Sequence, residues 1–182
     1  MSYSLRTILV GAAVSFALTT LARAADNGPL GIGHVASPSQ IAGWDIDVRA
    51  DGQGLPLGHG GVREGEKIFA ETCAACHGVK GEGKPADRLV GGFGTLATSK
   101  PVRTVGSYWP YASTLFDYIR RAMPFNSPQS LTADQVYAVS AYILYLNNIV
   151  TEDTVLDATS LTRVEMPNRN GLTSPDPRPD VP

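Results

Sequence analysis

Five consecutive residues, Cys73-Ala74-Ala75-Cys76-His77, have types and spacing that can do chemistry. C-x-x-C-H is the spacing of covalent c-type haem attachment. At a helix start, cysteines three residues apart project from one face, where each thiol can add to a haem vinyl group. His77, directly after the second cysteine, is then held beneath the iron and can supply an imidazole nitrogen as axial ligand. Other uses of the pair fit less well. The chain has no further cysteine, and its remaining histidines, His34 and His59, show no ligand spacing, so half a zinc site lacks its other half. A thioredoxin-like redox pair wants a βαβ context that is missing here, and a plain structural bridge leaves His77 without a role. One covalently attached haem c is the expectation.

The N-terminus agrees with that chemistry. Arg6 precedes an apolar run from Ile8 to Leu21, and Ala22-Arg23-Ala24 closes it. A charged start, a short apolar stretch and an A-x-A site read as a cleaved secretory signal over residues 1–24, and in a bacterium this implies the periplasm. The run is short for a spanning helix, and no later stretch approaches membrane length. Without Arg6 and Arg23 the chain carries 13 basic against 17 acidic residues, a formal charge of −4. There is no basic run with interleaved aromatics, which argues against a nucleic-acid partner.

The elements that must hold the motif can be placed by periodicity. Residues 25–61 are rich in Gly, Pro, Asp and Ser and read as an irregular N-terminal extension, with one helical turn near Ser39 to Gly43 and with Trp44 and Ile46 pinning it down. From Val62 to Thr72 the pattern is amphipathic, with Gly65 on the inner face where another helix can approach. This helix runs into the haem motif. The loop Gly78 to Lys84 and the run Gly91-Gly92-Phe93-Gly94 offer pliable backbone that can wrap a flat ligand. A phosphate-binding reading fails, because no Walker Lys-Ser/Thr pair is present. A second helix spans Ser113 to Ala122, with Met123 at its end before Pro124. A third starts on Thr132, where Gln135 completes a capping box and Leu131 and Val136 are placed as a hydrophobic staple, and continues to about Asn148. The fold class is therefore all-α, a haem domain over 62–149 followed by an extended C-terminal tail, 150–182, that is Pro- and Asp-rich beyond Asn170.

The sixth ligand decides between electron transfer and ligand chemistry. Met123 lies between the motif and the last helix and is favoured; Met166 also precedes a proline but lies in the tail, and His34 and His59 lie in the extension. A thioether raises the reduction potential and closes the iron, which suits an electron carrier. Tyr108, Trp109 and Arg103 are candidates for hydrogen bonds to the haem propionates, with packing as the alternative role of the aromatics. Arg120 and Arg121 could pair with propionates or face a partner, or stay solvated.

Three helices around C-x-x-C-H, with a methionine before the last helix, are similar to the class I cytochrome c family. The resemblance covers about Val62 to Asn148 and implies a crossing of Gly65 and Phe69 with an aromatic of the last helix, here Tyr142. Further segments, Gly31-Ile32-Gly33, Trp44-Asp45-Ile46-Asp47-Val48-Arg49, Gly106 to Ala112, Arg121 to Phe125, Pro128 to Leu131 and Glu165-Met166-Pro167-Asn168, resemble the cytochrome subunit of sulfane dehydrogenase in the Sox sulfur-oxidation system. That resemblance implies Cys73 and Cys76 as attachment points, His77 and Met123 as iron ligands, and a molybdenum-containing partner subunit that oxidises sulfane sulfur or sulfite and passes electrons through this chain to an acceptor such as another cytochrome c. Two departures stand out: some members carry a second haem domain, whereas this chain has one attachment motif, and the P-x-L proline whose carbonyl accepts from the ligand histidine is replaced by Asp87, with Pro85 nearest. A backbone acceptor for His77 is still expected. The competing functions are a free diffusible carrier between respiratory complexes and a thiosulfate-oxidising cytochrome.

Overall fold

A computed structural model describes residues 32–173, so the expected signal segment and the last nine residues lie outside it. The chain divides into two units after Ile41. In the first, Pro38 opens a short helix, α1 (Pro38–Ala42). Proline suits a first helical position, where its missing N–H is no loss. Ser37 and Gln40 cap it reciprocally: the Ser37 N–H donates to Gln40 Oε1 at 2.8 Å and the Gln40 N–H to Ser37 Oγ at 3.3 Å. The expected helical turn is thus present, one residue earlier than its sequence signals placed it.

In the second unit β1 (His59–Gly61) leads into α2 (Val62–Thr72) and a single-turn α3 (Ala74–His77). After a long loop come α4 (Ala112–Ala122), α5 (Ala133–Leu146), β2 (Val155–Asp157) and α6 (Ala158–Thr162). Everything is built on α5. All residues from Val136 to Leu144 are buried, so this helix is covered all round and serves as the core of the domain. Its start follows the expected capping box: the Gln135 N–H donates to Thr132 Oγ1 and the Thr132 N–H to Gln135 Oε1.

Three elements lean on α5. α2 crosses it so closely that a Cβ on Gly65 would lie 1.9 Å from the Ala138 carbonyl oxygen, and Phe69 meets Tyr142 with ring centroids 5.3 Å apart. The crossing expected from the family resemblance is therefore present, on the expected aromatic. β1 lies equally close, since a Cβ on Gly60 would meet the Ala138 nitrogen at 2.3 Å. α4 packs from another side through Phe116 on Tyr137, at 4.4 Å between centroids.

The all-α expectation holds for the haem domain, and the structure adds a small sheet to it. β1 and β2 pair antiparallel, with Gly60 opposite Leu156. Asp157 then caps α6 by accepting from the N–H groups of Thr159 and Ser160. Leu156, Leu161 and Met166 are all in the core, so the chain after α5 is folded back over the domain well before its Pro-rich end. In the extension, the anchor is not Trp44, which is 88% exposed, but Val48, which is buried. The Ile46 N–H donates to the Trp44 carbonyl at 2.9 Å, so the chain turns there and Trp44 does not share the inward face of the half-buried Ile46 and the buried Val48.

One buried group in α5 has no partner among the described residues, the Ser140 hydroxyl. A buried, unpaired hydroxyl costs about 1–3 kcal/mol relative to a satisfied one. Ser140→Ala is expected to leave stability unchanged or to raise it by about 1 kcal/mol, read from denaturant unfolding; a loss of that size would show that the hydroxyl is bonded in solution.

Candidate haem-binding site

α2 delivers the motif directly. The Cys73 N–H still donates to the Phe69 carbonyl at 2.9 Å, and the next turn is made by the His77 and Gly78 N–H groups donating to Cys73 and Ala74. The two thiols are free, Cys73 half-buried and Cys76 exposed. Burial, with the neighbouring Cys76 adding to it, pushes the Cys73 thiol up to about 11. The two cysteines sit on one turn, with no bond between them.

His77 Nδ1 lies 2.7 Å from the carbonyl oxygen of Asp87. A carbonyl can only accept, so Nδ1 carries the proton and Nε2 keeps its lone pair free for a metal. This is the backbone acceptor that the sequence required without naming. It comes from the residue standing where the P-x-L proline would be, so the departure in residue type leaves the interaction intact. The loop that brings Asp87 back is tied by the Gly83 N–H to His77, the Ala86 N–H to Cys76 and the Leu89 N–H to Gly81, at 2.7 to 2.9 Å.

The glycine-rich run beyond it is held by residues that carried no sequence signal. Asn147, 1% exposed at the end of α5, accepts from the Gly91 N–H at 3.2 Å and donates to the carbonyls of Leu89 and Ile143 at 3.1 and 2.9 Å. Thr104 and Ser107, both buried, continue the network: Thr104 Oγ1 donates to the Gly91 carbonyl and Ser107 Oγ to that of Val102. Asn147→Ala would strand the Gly91 N–H and the Leu89 carbonyl, whereas the Ile143 carbonyl keeps the Asn147 N–H. Each costs about 1–3 kcal/mol when left unpaired, so a loss of about 3 kcal/mol in denaturant unfolding is expected; an unchanged midpoint would mean water replaces the amide.

Met123 is the C-cap of α4, half-buried against the core. Its N–H donates to the Ile119 carbonyl at 3.0 Å, and the chain there turns extended. Met166, by contrast, is 3% exposed and part of the core cluster, the gap-filling role usual for methionine. His34 and His59 have exposed side chains, one in the first unit and one on β1. Arg103 stacks over Tyr108 at 5.5 Å, and Trp109 meets Tyr118 of α4 edge-on at 5.7 Å. Arg120 is half-buried and donates to the Ile46 carbonyl at 3.0 Å, whereas Arg121 stays exposed while it forks onto Asp117.

A helix ending in paired free thiols, a histidine with one ring nitrogen tied down and the other open, and a methionine at a helix end together fit a covalently held haem c. The chain belongs to the cytochrome c family, whose profile matches residues 62–147. Haem c is accordingly its cofactor. A chain in the crystal structure of the sulfane dehydrogenase SoxCD from Paracoccus pantotrophus is 47% identical, superposes with a TM-score of 0.77, and is matched over 82% of this chain and 74% of that one. A thiosulfate dehydrogenase of Psychrobacter arcticus is 30% identical over 82 residues, 45% of this chain; the chain spans a quarter (25%) of the length of that relative.

Proposed function

We propose that this chain is the electron-accepting cytochrome subunit of a molybdenum-dependent dehydrogenase for sulfane sulfur or sulfite, exported to the periplasm. The observation that carries the reading is the extent of the likeness to the SoxCD chain: 82% of this chain is matched, whereas the cytochrome c profile ends at 62 and 147. The extension and the chain after α5, which no generic haem domain needs, are therefore largely shared with a dehydrogenase subunit. The charged start and A-x-A site at Arg23 support export, and no helix of the described residues is long and apolar enough to cross a membrane.

Haem c supplies a one-electron iron couple when bound. The chain's part is to hold and tune it. Cys73 and Cys76 would form the thioether attachments and His77 Nε2 would ligate the iron, with the Asp87 carbonyl fixing its tautomer and raising its basicity. Met123, on the end of α4, would supply the second ligand. Arg103, Tyr108 and Trp109 serve the propionates, Arg103 and Tyr108 as one stacked pair. The substrate chemistry belongs to the molybdenum partner, and a second cytochrome c takes the electrons onward.

Mixing the haem-loaded chain with such a molybdenum subunit and adding sulfite or a sulfane donor is expected to reduce the haem, seen in its visible bands. No reduction with either donor would overturn the assignment. A second reading, oxidation of thiosulfate by this chain itself, draws on the likeness to thiosulfate dehydrogenase. It requires a displaceable ligand, so rapid cyanide binding to the oxidised protein, with thiosulfate alone reducing the haem, would favour it.

A further inference from the structure

α4 carries on one face a set of polar groups that bind backbone and are not used by the chemistry above. Ser113 Oγ donates to the Ala50 carbonyl at 2.9 Å, Asp117 Oδ1 accepts from the Val48 N–H at 2.7 Å, and Arg120 Nη1 donates to the Ile46 carbonyl at 3.0 Å. The helix positions are spaced four and three apart, one face of α4. The partners are alternate residues, one face of an extended chain. Their order is reversed, Ala50 beside Ser113 and Ile46 beside Arg120, so residues 46–50 form a strap antiparallel to the helix. Seven helical residues advance about 10 Å, a distance that four residues of chain cover while somewhat short of full extension, about 13 Å.

Asp117 holds the middle of this contact and is tied through Arg121 to the last turn of the helix. It is 6% exposed. Besides the Val48 N–H it takes both arms of Arg121, with Nε on Oδ1 at 2.9 Å and Nη2 on Oδ2. Arg121 is two residues from Met123, whose own N–H remains bonded to Ile119 at 3.0 Å. A buried carboxylate held by a backbone donor and a guanidinium fork has little freedom. Through it the strap and the last turn move as one body, and Met123 leaves the helix from that turn.

We propose that Asp117 is a positioning residue for Met123: by locking the 46–50 strap and Arg121 together it fixes the rotation of the last turn of α4 and so holds the methionine sulfur against the iron. The inference rests on the reading of Met123 as axial ligand. It also gives the N-terminal extension a role in the haem site, where the sequence suggested only a cover.

The test uses the full chain with haem attached. Readouts are the far-red charge-transfer band of thioether-ligated ferric haem, the rate of cyanide binding, and thermal stability. Asp117→Ala is expected to weaken the band and speed cyanide binding about tenfold or more. Ser113→Ala, which removes the strap bond farthest from Met123, is expected to lower thermal stability without changing the band or the rate. Asp117→Asn keeps an acceptor for the Val48 N–H but loses the charged fork; it should fall between wild type and Asp117→Ala, and it carries the same test if Asp117→Ala does not yield holoprotein. An unchanged band and cyanide rate in the Asp117 variants, or the same change in Ser113→Ala, overturns the proposal. Absence of the band in the wild-type protein would overturn the Met123 reading instead.

Discussion

Gly65→Ala is expected to destabilise the protein by about 2 kcal/mol net, and Gly65→Leu to prevent folding to the native state. In an exposed helix the alanine would help, by about 1 kcal/mol. Here the added Cβ would stand 1.9 Å from the Ala138 carbonyl oxygen, 2.5 Å from its carbon and 2.9 Å from the Tyr142 Cβ. Backbone atoms of a buried helix cannot rotate away, so α2 must lift off α5. Overpacking of this kind costs about 1–3 kcal/mol, occasionally more, and outweighs the gain in helix propensity. Against a total stability of about 5–15 kcal/mol the alanine variant still folds, but with a lower midpoint in guanidinium. Because α2 ends on Cys73, lifting it also moves the thiols and His77, so the yield of covalently attached haem should fall in parallel. A midpoint equal to or above that of wild type would show that α2 can shift on α5 without cost.

Met123→Ala should leave the haem attached and change its electronic character. Cys73 joins α2 to α3, and Cys76 and His77 lie on α3, whereas Met123 ends α4, so the substitution does not touch the attachment turn. Loss of a thioether replaces a ligand that favours the ferrous state with water or nothing. The reduction potential is expected to drop by a sizeable part of the roughly 0.8 V range that axial ligands span, and cyanide should bind the ferric protein rapidly. Potentiometric titration and cyanide kinetics check both. Unchanged values would remove Met123 from the iron and reopen the sixth position. Met166 is a poor replacement, since its buried side chain is already committed to the core.

The sequence expectations and the structure part company at identifiable residues. Val62 to Thr72 was legible as a helix to the residue, because period, charge and the following motif agreed. The start of α5 was legible for the same reason, Thr132 and Gln135 being a local signal that needs no tertiary partner. Trp44 misled, because a large apolar side chain suggests burial, yet the extension is anchored by the inward Val48 and by hydrogen bonds from α4 to its backbone. Only the fold brings the Ile46 carbonyl to Arg120, whereas Asp117 and Arg121 meet because they stand four residues apart on α4.

The sequence by itself picked out the groups proposed for the site: which thiols, which imidazole, and that a backbone acceptor must stand behind it. Such local patterns are written in residues a few positions apart, where the chain's own geometry sets their relation. What only the tertiary structure decided is who supports them. The Asp87 carbonyl behind His77, the Asn147 amide under the glycine run, and the Asp117 lock beneath Met123 bridge 10, 56 to 58 and 69 residues of chain. The first needs no particular side chain at all, and the other two use polar residues that would be ordinary surface groups anywhere else. Their roles arise from burial beside a specific backbone atom, and spacing along the chain does not encode that.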